Sequence, residues 1–264
     1  MFVKLFDGKY VSVYGLLGIV GFLLGGVYLF IACKKKRISF EDTLYVYVWA
    51  GILTVIGAKL LYIILDIGNM VDAFTKGGEH VKNYIISVMS GGLVFYGGLI
   101  GGFCGALMAA KFFKYDIHKT INVLVPTVPL IHAFGRIGCN MVGCCYGIKV
   151  NSHFGKKYTN SLYAPNNVYL FPVQLIESMC NFLLFAILAY LFFTTPEEKL
   201  KNGKTAEVYL LTYSVIRFIL EFFRGDEIRG HFLAFSTSQW ISIMIFISVV
   251  VFLLAKRRRT SSVH

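Results

Sequence analysis

A chain of 264 residues that is 56% apolar and 15% charged, with a mean hydropathy of +0.66, departs from soluble domains, which run at about 45–50% apolar and about 25% charged. A soluble protein with a single core is excluded. The 26 Lys and Arg against 14 Asp and Glu do not argue for nucleic acid either, because they lie in short runs between apolar stretches instead of along one solvated stripe.

Seven stretches approach the roughly 20 apolar residues that a bilayer-spanning helix needs: about 11–33, 43–67, 84–110, 120–140, 171–193, 206–223 and 232–255. They are expected to be helices, since an open sheet cannot satisfy its backbone in hydrocarbon. The fold expected is therefore all-α, a polytopic membrane protein of about seven transmembrane helices, with residues 1–264 forming one integral membrane domain. The first span reads as retained and not as a cleaved leader, because Lys34, Lys35, Lys36 and Arg37 follow it like a stop-transfer anchor.

Orientation follows from Lys and Arg in alternate loops. The N-terminal segment with Lys4 and Lys9 and the second, fourth and sixth loops hold nine, whereas the first, third and fifth loops and the C-terminal segment hold fourteen. The N-terminus is expected outside and the C-terminus in the cytoplasm.

Charges inside a bilayer cost about 2.5–3.5 kcal/mol each on insertion scales, so those that persist usually face a cavity. This orientation sets Lys59, Arg136, Gln174, Glu177, Arg217, Glu221 and Arg224 toward the outer side, with Tyr14 at the start of the first span. In the sixth span Tyr213, Arg217, Glu221 and Arg224 stand four, four and three residues apart, on one helical face. Read alone, that stripe fits equally a buried Arg–Glu pair pinning helices together. With Arg136 and Lys59 it makes a cationic layer suited to an anion, and Arg presents forked donors that match phosphate oxygens.

The third span contains Ser90-Gly91-Gly92-Leu93-Val94-Phe95-Tyr96-Gly97-Gly98-Leu99-Ile100-Gly101-Gly102. Paired glycines admit another helix or a lipid chain to the backbone, and Tyr96 beside Gly97 and Gly98 offers a phenol as hydrogen-bond partner. Cys139, Cys144 and Cys145 cluster in sequence but lack a usual zinc spacing. They read as small packing residues, and neither a metal nor another cofactor is assigned.

Tyr14-Gly15, Gly57-Ala58-Lys59, the Gly91 to Gly102 run, Gly135-Arg136-Ile137-Gly138, Gly143 to Gly147, Pro172-x-Gln174-x-x-Glu177 and Arg217-x-x-x-Glu221-Phe222-Phe223-Arg224 occur in this order along the chain. In these pieces it resembles the prolipoprotein diacylglyceryl transferases of the bacterial cytoplasmic membrane. The resemblance implies transfer of the diacylglyceryl group of phosphatidylglycerol to the lipobox cysteine of a precursor protein, at a site facing the outer leaflet, with release of glycerol phosphate. It implies phosphate contact by Arg136 and Arg217, with Arg224 as a further candidate. Glu221 would orient Arg217, Tyr14 would hold the glycerol head group, and Gln174 and Glu177 would belong to the lipid site.

The chain also departs from the family pattern. Tyr96 stands where the family's usual residue is His, Cys139 where it is Asn, and Cys144 where it is acidic. Tyr96 is then the catalytic hydrogen-bond partner, with His132, one turn before Arg136, as an alternative base or a structural imidazole. Two other readings stand beside this one: a relative that modifies another acceptor, and a transporter or lipid-binding membrane protein.

Overall fold

The structure, a computed structural model, describes residues 2–4, 10–90, 94–151, 154–202, 204–226 and 231–261. Its helices are α1 (Val13–Lys35), α2 (Phe40–Leu65), α3 (Ile67–Lys76), α4 (Glu79–Ser90), α5 (Phe95–Phe112), α6 (Ile117–Leu124), α7 (Thr127–Val142), α8 (Val173–Thr194), α9 (Thr205–Glu221) and α10 (Thr237–Ser261). Three short antiparallel pairs accompany them: β1 (Phe2–Lys4) with β2 (Tyr10–Ser12), β3 (Lys156–Lys157) with β4 (Tyr169–Leu170), and β5 (His231–Phe232) with β6 (Phe235–Ser236). Local chemistry marks several ends. Ser39 accepts the amide of Asp42 at the start of α2, where Glu41 and Asp42 also suit the helix dipole, and Lys34 and Lys35 occupy the last turn of α1.

Among the described residues, five segments are long and apolar enough to cross a bilayer: Val13–Lys35, Phe40–Leu65, Ile117–Val142, Val173–Thr194 and Thr237–Arg258. This is a polytopic helical membrane protein. The expected third span divides between α4, which ends at Ser90, and α5, which opens at Phe95 after an extended Val94. Gly91, Gly92 and Leu93 of the glycine run lie outside the described residues, as does Lys9. The expected sixth span is α9, only 17 residues long. It closes where Phe222 and Phe223 donate to the carbonyls of Ile219 and Leu220, tightening the last turn. An apolar run shows where lipid-compatible side chains lie; it does not fix where helical hydrogen bonding stops.

The chain forms two compact units. In the first, residues 37–120, α2 packs on α5 through glycine. A Cβ on Gly97 would collide with the carbonyl oxygen of Gly57, one on Gly101 with that of Leu53, and one on Gly105 would come within 2.9 Å of Leu53 Cβ. These three glycines recur every fourth residue on one face, so they serve close helix packing. The Lys59 ammonium donates to the carbonyl of Val88 near the end of α4, so this charge is engaged at a helix C-terminus.

The other unit comprises residues 1–36 and 121–264. There α1 packs on α7, α7 on α8, α8 on α9 and α9 on α10. Gly21 lets α1 approach α7, because a Cβ there would lie 3.1 Å from Ile131 Cα and Phe134 Cβ. Gln174, Glu177, Ser178 and Asn181 line one face of α8 and are all buried, while Met179 and Leu183 are 70% and 64% exposed. Apolar residues outward and polar ones inward reverse the order of a soluble helix, as a helix in hydrocarbon requires.

Candidate active site

Glu177 lies at the centre of a polar cluster built by α7, α8 and α9, and its carboxylate is fully buried. Its Oε1 is 3.0 Å from Arg136 Nη2 and 3.7 Å from His132 Nε2, and it accepts the Tyr213 hydroxyl at 3.3 Å; its Oε2 is 3.9 Å from Arg217 Nη1. Helical spacing explains the convergence. His132 and Arg136 are one turn apart on α7, and Tyr213 and Arg217 one turn apart on α9, so each helix offers two groups to the same α8 carboxylate. Ser178 fixes the pairing of α7 and α8 by donating to the carbonyl of Ala133 at 2.9 Å.

His132 Nε2 accepts a hydrogen bond from Arg136 Nε at 3.1 Å. Its lone pair is thereby occupied, which makes the imidazole a positioning element for Arg136 and a poor acceptor for a substrate proton.

A second layer surrounds Arg217. Its Nη2 is 2.6 Å from Glu221 Oε2 and donates to Ser238 Oγ at 3.2 Å, while Ser236 Oγ donates to the other Glu221 oxygen at 2.9 Å. Thus α9 and the start of α10 hold the guanidinium plane together. Arg224, just beyond α9, makes a forked pair with Asp226 at 2.8 and 2.7 Å. Burial is the largest single influence on Arg224 and weakens its charge, but the hydrogen bonds and charge of Asp226 together with the nearby Cys145 sulfur hold the guanidinium above its ordinary range. The positive excess expected from Arg136, Arg217 and Arg224 is therefore offset, since Glu177, Glu221 and Asp226 match it one for one. What the cluster retains is spare donors. The Nη1 groups of Arg217 and Arg224 are buried and make no hydrogen bond among the described residues.

The long connection after α7 folds back over its C-terminal end. Gly143, in the left-handed region at φ 87°, returns its amide to the carbonyl of Cys139. Lys156 donates to Asn140 O at 2.7 Å and to Asn140 Oδ1, Tyr158 hydroxyl donates to Asn140 O at 3.0 Å, and Ser161 Oγ to Val142 O at 3.1 Å. These satisfy carbonyls that a helix end leaves open. Burial lowers the Lys156 ammonium and pushes the Tyr158 phenol up to about 12. Gln174 Nε2 donates to Cys144 O at 2.9 Å, and the backbones of Tyr146, Gly147 and Ile148 bond those of Phe223, Arg224 and Gly225. Consequently the loop and Arg224 are held as one piece.

One unit therefore brings together Arg136, Glu177, Arg217 and Glu221, with Gln174 and Arg224 alongside through the loop. Tyr14, at the start of α1, sits against Gly138 of α7, where a Cβ would be 3.0 Å from Tyr14 Cδ2. Tyr96 is the second residue of α5, in the unit of residues 37–120. The three cysteine sulfurs Cys139, Cys144 and Cys145 lie within 4.8 Å of one another. Residues that the sequence reading passed over include Asp226, Ser236, Ser238 and Lys156. Only Asp226 had a legible signal, a carboxylate two residues after an arginine at the end of an apolar run.

The profile of the prolipoprotein diacylglyceryl transferase family matches residues 2–255. The phosphatidylglycerol–prolipoprotein diacylglyceryl transferase of Clostridium tetani is 37% identical over 239 residues, 90% of each chain. The enzyme of that name numbered 2 in Clostridium perfringens is 35% identical over 240 residues, 88% of each chain. That of Finegoldia magna is 30% identical over 239 residues, 90% of this chain and 88% of its own. Matched over nearly its whole length, the chain belongs to the prolipoprotein diacylglyceryl transferase family.

Proposed function

We propose that this chain transfers the diacylglyceryl group of phosphatidylglycerol to the thiol of a lipobox cysteine in a prolipoprotein, releasing glycerol phosphate. A sulfur–carbon bond forms at the glycerol carbon that carried the phosphate. The carbon–oxygen bond breaks with its electron pair remaining on the phosphate oxygen, and the thiol proton passes to solvent. Negative charge thus grows on the phosphate, where preorganised guanidinium donors in a water-poor site stabilise it more than water would. The observation that carries this reading is the pair of buried Nη1 groups on Arg217 and Arg224, which make no hydrogen bond among the described residues, beside the Arg136–Glu177 pair.

In this reading Arg136 and Arg217 bind the phosphate, Arg224 adds a third cation, and Glu221 orients Arg217. Glu177 holds Arg136 and Arg217 at the lipid site, Gln174 fixes the loop beside it, and Tyr14 receives the glycerol head group. Tyr96, which stands where the family's usual residue is His, takes the role of hydrogen-bond partner in the reaction. The lipobox thiol, near 8.5 when free, is acidified by nearby arginines, so a strong base is not required, and the transfer uses no cofactor. The same proposal treats residues 1–264 as one transferase domain. It has seven spans in the bacterial cytoplasmic membrane, the N-terminus outside, the C-terminus in the cytoplasm and the site beneath the outer leaflet, in keeping with the Lys and Arg bias of the loops.

The test is purified protein with labelled phosphatidylglycerol and a lipobox peptide. The expected product is a peptide heavier by one diacylglyceryl group, together with glycerol phosphate. Lipid release without a modified peptide would overturn the proposal in favour of a transporter.

A further inference from the structure

Cys139, in the last turn of α7, is buried, and Cys144 and Cys145 in the following loop are half-buried; all three are free thiols. The chain reverses sharply to bring them together. Gly143 (φ 87°) and Cys145 (φ 56°) both adopt the left-handed region, which a side-chain-bearing residue such as Cys145 rarely occupies. Gln174, itself 1% exposed, pins the carbonyl of Cys144, and backbone pairing of Gly147 with Arg224 fixes the next turn. Each of these contacts holds the three sulfurs within 4.8 Å of one another.

We infer that Cys139, Cys144 and Cys145 form a three-thiolate site for a soft, thiophilic cation such as Zn²⁺ or Cu⁺. Metal–sulfur bonds of about 2.3 Å in a tetrahedral or trigonal site set sulfurs somewhat under 4 Å apart, so rotation of the half-buried side chains by about an ångström closes the site. Hard cations such as Mg²⁺ and Ca²⁺ prefer oxygen ligands and find none in this set. On binding, three thiol protons pass to solvent, and a divalent ion with three thiolates carries one net negative charge. Arg136 stands one turn before Cys139 and Arg224 is held beside the loop by the pairing of its backbone with Gly147, so both cations flank that charge while each keeps its own carboxylate partner. The partly exposed Cys144 and Cys145 give the ion its entry, and a fourth coordination position is open to an external ligand.

The experiment is titration of the reduced full-length protein in detergent with Cd²⁺, with no lipid or peptide present, following thiolate-to-cadmium charge transfer in the ultraviolet. One tight equivalent is expected, unchanged in the Cys104→Ser/Cys180→Ser variant. It should weaken at least about a hundredfold in Cys144→Ser and in Cys145→Ser, since even outer-shell changes cost about 10–100-fold. Absence of the charge-transfer band in the parent protein overturns the inference whatever the variants do. So does a band of equal strength in Cys144→Ser/Cys145→Ser. The readout does not involve lipid transfer, so its failure leaves the proposed reaction standing, and failure of the reaction leaves the site standing.

Discussion

Arg136 Nη2 and Glu177 Oε1 stand 3.0 Å apart, joining α7 to α8 through an ion pair whose carboxylate has no solvent exposure. Breaking such a pair from one side strands a buried charge, which costs about 3–5 kcal/mol. Glu177→Ala is therefore expected to lower the thermal midpoint in detergent strongly, because it strands Arg136 and loosens Arg217 together. A midpoint equal to that of the parent would show that the cluster contributes nothing to helix cohesion.

Arg136→Ala removes the opposite partner but leaves Glu177 with Arg217 and the Tyr213 hydroxyl. Its midpoint should fall less than that of Glu177→Ala, while diacylglyceryl transfer drops by about a hundredfold or more, as for loss of one charge-stabilising donor. Full transfer activity in this variant would remove Arg136 from the phosphate site.

Arg217 bonds Glu221 and Ser238 through Nη2, while its Nη1 makes no hydrogen bond among the described residues. A lysine ammonium has no second nitrogen to offer in the place of Nη1. Arg217→Lys is accordingly expected to lose about a hundredfold or more in transfer despite keeping its charge. A loss under tenfold would mean that charge alone matters at this position.

Tyr96→Phe deletes only a hydroxyl. A hydrogen bond to a charged group contributes about 1.5–3 kcal/mol, so transfer to a lipobox peptide should fall by about tenfold or more with phosphatidylglycerol binding unchanged. An unaltered rate excludes the phenol from the reaction.

Gly101→Leu probes the unit of residues 37–120. Any Cβ there meets the carbonyl of Leu53, so α2 and α5 must separate, and protease resistance of this region should be lost. Preserved resistance would show that the two helices tolerate a wider spacing.

Much of the cluster was legible in the sequence, because Arg217 and Glu221 are one helical turn apart and Glu177 and Arg136 are charges within apolar runs. Their common depth could be read, but their pairing could not, since pairing depends on how α7, α8 and α9 are rotated about their axes. The charge balance is hidden for a related reason: Asp226, which pairs with Arg224, lies beyond the end of the apolar run. For the spans, hydropathy marked the five long apolar helices found among the described residues. It missed the break before Phe95, which is a backbone event. The glycine run admits either another helix or a lipid chain by sequence alone, and at Gly97 and Gly101 it is a neighbouring helix that fills the space.

The short ladder that joins residues 146–148 to 223–225 ties two segments nearly eighty positions apart in the chain to one register. Adding or deleting a single amino acid between Gly143 and Gly147 would slide that ladder and carry a guanidinium away from its companions. Lineages descended from this sequence should accept changes of side chain in the segment far more readily than changes in its length.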